Sequence, residues 1–355
     1  TYTQSGTKCP PPVSVGLIEQ DGAPGVEESK LTTAEDYRFT WKREEASLAI
    51  ELAAAQIRPR KADYAANLSA VGDVIEQLDN ERSGVDLLVL PETVLSGYFL
   101  EGGVRELARS ADQVFTDLLR TYRSRVKRAG AALDIAIGFY ELADGQFYNS
   151  GLYATLTSAD NHDVVPRIIH VHRKFFLPTY GVFDEKRFVS RGRVIQAFDT
   201  RLGRMALLIC EDAWHSVTAT LAALQGAQMM IVLSASPGRE FGGKTIGNLE
   251  RWDVLLKGIA EEHGVFVIYA GLVGFEGGKG FTGSSRVVDP WGRTLVRAPA
   301  TDPCIVRAQA HFDDVAVARG VTPLLADLDA AVRDVAAHFE MLARPPADTR
   351  VSHDR

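Results

Sequence analysis

Apolar patterns of strand length and helix length alternate along this sequence, which predicts an α/β fold with helices covering β-sheets. The 355 residues are 46% apolar and 24% charged, enough hydrophobic material for a large core. Neither an interior linker nor an internal repeat breaks the alternation, so residues 47–320 are expected to form one domain. Residues 1–46 have a different character. Pro10-Pro11-Pro12, a stretch containing Gly and Pro up to Gly25, and charged residues from Glu27 to Glu45 leave too little apolar material to fold alone. They read as an arm lying on the main domain or on a neighbouring subunit. Residues 321–355 read as a helical tail.

Leu48, Ile50 and Leu52 alternate as a first strand, and Leu68, Val71, Ile75 and Leu78 recur at helical spacing. Val85 to Leu90 is an apolar second strand. The next helix carries Val114, Leu118, Tyr122 and Val126, with Gly130 as its stop. A β-rich middle follows: Leu133 to Glu141, a turn at Asp144-Gly145, Phe147 to Leu156, then Val164 to Arg173. The apolar run Met205 to Ile209 predicts a strand ending at Cys210, with a helix from Trp214 to Gln225 behind it. The strand Met229 to Ser234, the helix Asn248 to His263, the strand Val265 to Gly271 and strands around the Asp289-Pro290-Trp291-Gly292 turn complete the core. In the tail, Leu324, Leu328, Ala331 and Val335 fall on one helical face.

Composition narrows the function. With 39 basic against 46 acidic residues the net charge is −7, and no Lys/Arg-rich run stands out, which argues against nucleic acid and an anionic membrane as partners. The longest apolar stretch, around Val265 to Phe275, falls short of a membrane span, and no basic-then-apolar signal opens the sequence. Cys9, Cys210 and Cys304 are odd in number and far apart, a usage that fits reduced thiols and a cytoplasmic location.

Three residues at strand ends carry the chemistry. Cys210 ends an apolar strand and is followed at once by Glu211, Asp212, Ala213, Trp214 and His215. That places its thiol at an elbow near backbone N–H groups and the positive end of a helix, a setting expected to lower its pKa. Glu92 follows the strand Val85 to Leu90, and Lys174 follows the strand that ends at Arg173. Each alone has an ordinary structural reading: a core cysteine, a capping glutamate, an exposed lysine. Together they supply a base, a cation and a nucleophile, the parts of acyl transfer through a thioester.

The segments Leu90-Pro91-Glu92, Arg173-Lys174-Phe175-Phe176-Leu177-Pro178 and Ile209-Cys210-Glu211-Asp212 resemble, in order, the three signature segments of the nitrilase superfamily of carbon–nitrogen hydrolases. The resemblance runs from about Leu48 to Asp313. It includes Ala54-Ala55-Gln56 and the run Phe281 to Pro290. Within the superfamily, Leu177 to Phe188 and Cys210-Glu211-Asp212-Ala213-Trp214 look most like the glutaminase domain of glutamine-dependent NAD synthetases. Cys-Glu-Asp departs from the Cys-Trp-Glu of true nitrilases and favours an amide over a nitrile. About 140 residues follow Cys210, too few for the ATP-using synthetase domain, so a free-standing amidase is expected.

The resemblance implies a four-layer α-β-β-α sandwich and cofactor-free hydrolysis of a linear carboxamide, with no metal. In those roles Glu92 is the general acid and base, Cys210 the nucleophile, and Lys174 with the Glu211 backbone N–H the oxyanion donors. Glu185 would orient Lys174 or the water, Tyr180 would contact substrate, and Trp214 would line the pocket. The family's habit of pairing sandwiches implies a homo-oligomer, with the arm and tail as contacts. An ammonia supplier to a separate synthetase, a nitrile hydrolase and an N-acyltransferase using the same triad are the alternatives.

Other signals compete. Gly238 to Thr245 fits the phosphate-loop pattern G-x-x-x-x-G-K-[ST] at every position and suggests a nucleotide site. Against it, Ser236-Pro237 interrupts the junction, and no later apolar strand ends in an Asp suited to hold Mg²⁺. Gly278, Gly280 and Gly283 satisfy G-x-G-x-x-G but lead into a strand, not a helix. His170 and His172 alternate on one strand face without a third metal ligand, and no G-x-S-x-G elbow supports a serine hydrolase.

Overall fold

The strand expected at Leu48 to Leu52 is β1, Ile50–Gln56, and it is buried along nearly its whole length rather than alternately. The reason is its position inside a sheet that is covered on both faces. Residues 49–81, 84–242 and 245–343 are described by this computed structural model. The arm, Leu48 and part of the phosphate-loop segment (Gly243 and Lys244) lie outside them.

The first sheet contains β1, β2 (Leu87–Val89), β3 (Ala132–Ala143), β4 (Gln146–Thr157), β5 (Arg167–Arg173) and a late strand, β12 (Cys304–Ala310), in the order β12-β1-β2-β3-β4-β5. β1, β2 and β3 are parallel, and the hairpin β3–β4 and strand β5 continue antiparallel. The second sheet is built from β6 (Ala197–Thr200), β7 (Gly203–Ile209), β8 (Met229–Ser234), β9 (Phe266–Gly271), β10 (Arg286–Val288) and β11 (Thr294–Arg297), in the order β11-β10-β9-β8-β7-β6. Here β7, β8 and β9 are parallel.

Helices α1 (Tyr64–Asn80) and α2 (Ala111–Arg125) cover the outer face of the first sheet, burying Val71, Ile75, Val114 and Leu118 with Ile135, Ile137 and Leu152. Their starts are encoded locally. The Asp63 carboxylate accepts from Ala66 N, and Ser110 and Gln113 form a reciprocal capping box. Helices α3 (Ser216–Leu224) and α4 (Gly247–His263) cover the second sheet, with α4 stopped by Gly264 in the left-handed conformation. α5 (Asp313–Val321) and α6 (Leu324–Ala343) follow β12. The layers run helix, sheet, sheet, helix. The two sheets approach so closely at Gly151 on β4 that an added Cβ would stand 2.5 Å from Leu207 Cδ2 and 3.1 Å from Leu233 Cδ1.

One expectation needs correction, the start of the helix after Cys210. The chain after Cys210 is a short 3₁₀ turn, Cys210–Trp214, and the α-helix begins only at Ser216. Phe241–Gly242 and Thr245–Ile246 pair as a small antiparallel hairpin, so the phosphate-loop segment does not run directly from loop to helix as a phosphate cradle must. Gly277 and Gly278 form the turn of another hairpin, Gly274–Glu276 with Lys279–Phe281. Cys210 is a free, buried thiol. Among the described residues no helix is long and apolar enough to cross a membrane.

Candidate active site

The ends of β2 and β5 in the first sheet and of β7 in the second meet across the sandwich, and there the structure brings together Glu92 (after β2), Lys174 (after β5) and Cys210 (after β7). All three are buried. The Lys174 ammonium donates to Glu92 Oε1 at 2.8 Å and to Glu185 Oε1 at 2.6 Å, so one cation is clasped by two carboxylates. Glu185, on a 3₁₀ turn at Glu185–Arg187, also accepts from the Tyr98 hydroxyl.

Glu92 is held from several directions. Asn149 Nδ2 donates to its Oε1 at 2.7 Å, and Ala235 N, just past β8, donates to its Oε2 at 2.7 Å. The backbone that carries it lies against Gly138 on β3. A Cβ there would fall 2.5 Å from Glu92 Cα and Thr93 N, so only glycine permits this approach. Thr93 itself has φ +48° and Cys210 φ +45°, left-handed values that are rare for residues with a side chain. At Cys210 that conformation makes the elbow and turns the chain sharply out of β7.

Asp212 ties the elbow to the lysine segment. Its fully buried carboxylate accepts from Ile209 N at 3.1 Å and from Phe175 N and Phe176 N at 3.0 and 2.9 Å, and it bonds His172 Nε2 at 2.8 Å. His172 is thereby engaged in a structural contact. Its neighbour His170 stacks on Phe198 at 4.4 Å, and burial, helped by His172, lowers its pKa to about 4. Among the described residues no cluster of three or more His, Cys, Asp or Glu side chains could hold a metal ion.

The electrostatics differ from those expected of an elbow thiol. Burial and the nearby Glu92 carboxylate push the Cys210 pKa up, outweighing Lys174 and the Ser234 hydroxyl, whose Oγ donates to Sγ at 3.4 Å. A single 3₁₀ turn offers too small a dipole to reverse this. These surroundings favour the neutral thiol over the thiolate at Cys210. Burial opposes the charge on Lys174, but Glu185 and Glu92 overcome it and raise the ammonium well above its usual 10.5. Burial raises Glu185 to about 7, with Lys174 opposing and Glu92 adding to the rise.

At the outer edge, the Tyr180 hydroxyl donates to Glu211 Oε2 at 2.9 Å, next to Cys210 in sequence. Both residues border an open groove of about 1100 Å³, which reaches none of Glu92, Lys174 or Cys210. A second cavity of about 540 Å³ is bordered by Glu185, Tyr98 and Tyr140. Trp214, expected to line the pocket, borders neither cavity. It packs edge-on against Trp252 at 5.2 Å, where the apolar core offers it more burial than the site does.

Sequence reasoning missed Asn149, Tyr98, Ser234, Gly138 and the clip made by Asp212. Only Ser234 carried a usable signal, since it ends β8 beside the strand of Cys210.

Residues 51–319 match the carbon–nitrogen hydrolase family. A glutamine-dependent NAD(+) synthetase of Aquifex aeolicus is 26% identical over 254 residues, which is 71% of this chain and 40% of that protein. An (R)-stereoselective amidase of a Pseudomonas species is 30% identical over 244 residues, 68% of this chain and 78% of that one. The chain spans about two-fifths of the length of the synthetases it matches. A carbon–nitrogen hydrolase structure from Helicobacter pylori G27 superposes with a TM-score of 0.70 at 22% identity, over 84% of this chain and 99% of that one, a likeness of fold. By its sequence match, and with two sheets layered between helices as in that structure, the chain belongs to the carbon–nitrogen hydrolase family of the nitrilase superfamily.

Proposed function

We propose that the protein is a cysteine-dependent amidase that cleaves the C–N bond of a linear carboxamide through a thioester on Cys210. The observation that carries this reading is the buried cluster in which Lys174 bridges Glu92 and Glu185 beside the Cys210 thiol. Support also comes from two amidases among the relatives. One is the Pseudomonas enzyme, and the other is an amidase from Nesterenkonia sp. AN1 for which covalent addition of the acetamide moiety of fluoroacetamide at the active-site cysteine is described.

As the substrate carbonyl arrives, Glu92 takes the Sγ proton and Sγ bonds to the carbonyl carbon. The developing oxyanion is met by the Lys174 ammonium and the Glu211 N–H, donors of a kind whose individual loss typically costs about 10²–10³-fold in rate. Glu92 returns the proton to the leaving nitrogen as the C–N bond breaks, so ammonia or an amine departs and the thioester remains. Water then gives a proton to Glu92 and adds to the thioester carbon. The C–S bond breaks, the thiolate regains the proton, and the acid leaves. A thiol of raised pKa suits this sequence, because the proton moves only when substrate is in place.

A glutaminase that supplies ammonia to a synthetase is a second reading, favoured by the similarity to NAD synthetases over 71% of the chain. A panel of amides and nitriles, with and without amine acceptors, separates these readings. Ammonia release and a thioester adduct visible by mass in the wild type, both lost in Cys210→Ala, support the amidase. Ammonia release that survives Cys210→Ala refutes it.

A further inference from the structure

The late hairpin Gly274–Glu276 with Lys279–Phe281 is tied to both halves of the site. On its second strand Gly280 O accepts from Gly238 N at 2.8 Å, and just beyond it Thr282 N donates to Ser236 O at 3.0 Å, next to the Ala235 N–H that holds Glu92. On its first strand Glu276 is buried, and its Oε2 accepts from the backbone N–H groups of Tyr98 and Phe99, each at 2.9 Å. Gly97 makes room for this carboxylate, since a Cβ there would stand 2.8 Å from Glu276 Oε1. The rings of Tyr98 and Phe99 pack on Phe281 of the same hairpin, at 6.3 and 5.7 Å between centroids.

Burying a carboxylate is costly, and burial accordingly raises the Glu276 pKa, with the Phe99 and Tyr98 N–H groups and Lys61 opposing. What this buried charge fixes is the place of Tyr98. The Tyr98 hydroxyl donates to Glu185 Oε1, the oxygen that Lys174 also bonds. Its ring lies 5.8 Å from the Lys174 ammonium, and its carbonyl accepts from the Tyr140 hydroxyl at 2.8 Å. Three hydrogen bonds thus connect Glu276 to the lysine clasp, although Glu276 and Tyr98 stand 178 positions apart in sequence. The titratable groups that face Glu185 are Lys174, Glu92, Tyr98, Tyr140 and Cys210, while Asp184 and Arg187 on its own turn pair with each other at 3.7 Å.

We propose that Glu276 is a positioning residue for amide hydrolysis: by gripping the backbone at Tyr98 it holds the Tyr98 hydroxyl on Glu185 and keeps the Lys174 clasp in register with Glu92 and Cys210. This rests on the amidase reading, and the test keeps the two apart. The measurement is kcat/KM on a linear amide from about pH 5 to 9 for wild type, Glu276→Ala, Glu276→Gln, Tyr98→Phe and the Glu276→Ala/Tyr98→Phe double variant. A hydroxyl that donates to Glu185 favours its ionised form, so displacing or deleting it should move the acid limb near pH 7 upward by about one pH unit, a loss of about tenfold in kcat/KM on that limb. Glu276→Ala and Tyr98→Phe should give this shift alike, and the double variant no more than either, because both act through one hydrogen bond. Glu276→Gln keeps an oxygen for the two N–H groups and should leave the limb near its wild-type position. Direction separates position from charge, since mere loss of a negative charge would favour ionised Glu185 and move the limb down.

A lower rate in Glu276→Ala with the limb unmoved, a limb that moves down, or shifts that add in the double variant overturns the proposal. Should Glu276→Ala fail to fold, Glu276→Asp, whose carboxylate is one methylene shorter, takes its place in the same comparison. Denaturant stability, which falls as Glu185 ionises, gives a readout that needs no turnover: its fall with pH should extend about one unit higher in Glu276→Ala and in Tyr98→Phe. Absence of ammonia release from every amide would sink the amidase reading, and the stability titration would still decide the role of Glu276.

Discussion

In the proposed mechanism, Glu185→Gln isolates the half of the lysine clasp that does not itself take the thiol proton. Glu185 is buried, accepts from Lys174 at 2.6 Å, and has its carboxyl raised from 4.5 to about 7, by burial first and by the charge of Glu92 in addition. At pH 5 Glu185 is expected to be mainly protonated. With Glu185 neutral, the Lys174 ammonium leans on Glu92 alone and weakens it as a base. The expected kcat/KM of the wild type on an amide rises about tenfold per pH unit from pH 5 and levels near pH 7.

In Glu185→Gln the limb near pH 7 should vanish. The plateau should fall about 10–100-fold, since a charged contact worth about 1.5–3 kcal/mol becomes a neutral one. Stability supplies an independent check of sign. A carboxyl raised in the fold contributes stability that is fully present below its ordinary value of 4.5 and is lost as pH rises through about 7. At 1.36 kcal/mol per pH unit the loss is about 3 kcal/mol, and the substitution should flatten that slope in denaturant titrations between pH 5 and 8. A variant that keeps the same acid limb at the same pH would refute the assignment.

Two further substitutions probe positioning. Gly138→Ala should lower kcat about 10²-fold, because the new Cβ must push the Glu92 backbone from a 2.5 Å approach and a displacement near 1 Å costs that much; steady-state kinetics near wild type would count against it. Asp212→Ala strands three backbone N–H donors and His172, so a loss of about 3–5 kcal/mol is expected in denaturant unfolding, and a change below about 1 kcal/mol would contradict the clip.

The alternation of apolar runs made both sheets and their covering helices legible, because strand and helix periods are local properties of the chain. Glu92, Lys174 and Cys210 were legible for a related reason: each follows closely on a strand, and catalytic groups in α/β proteins gather at strand ends. Asn149 was not, since it sits inside β4 and meets Glu92 only through the pairing of β4 with β3 and of β3 with β2. Gly138 hides for the same cause, its meaning lying in a neighbour 46 positions earlier in sequence. The thiol was misread in energy rather than in place. An elbow suggests exposed amides and a helix end, whereas burial and an adjacent carboxylate govern a side chain only 7% exposed. Trp214 packs against Trp252, a contact that its place beside Cys210 in sequence did not reveal.

The close approach at Gly151 has a bearing on chemistry that neither sheet shows alone. Glu92, Asn149 and Lys174 are carried by one sheet, while Cys210, Ser234 and Ala235 are carried by the other. In the proposed mechanism the proton donor and its acceptor thus stand on opposite sides of a seam, and Gly151 meets Leu207 and Leu233 on the two strands that lead to Cys210 and Ala235. The bulk permitted at this one position acts as a shim, fixing how far thiol and carboxylate stand apart without touching either. Reactivity in this protein is accordingly tunable from its interior, by the thickness of the sandwich as much as by the groups at its rim.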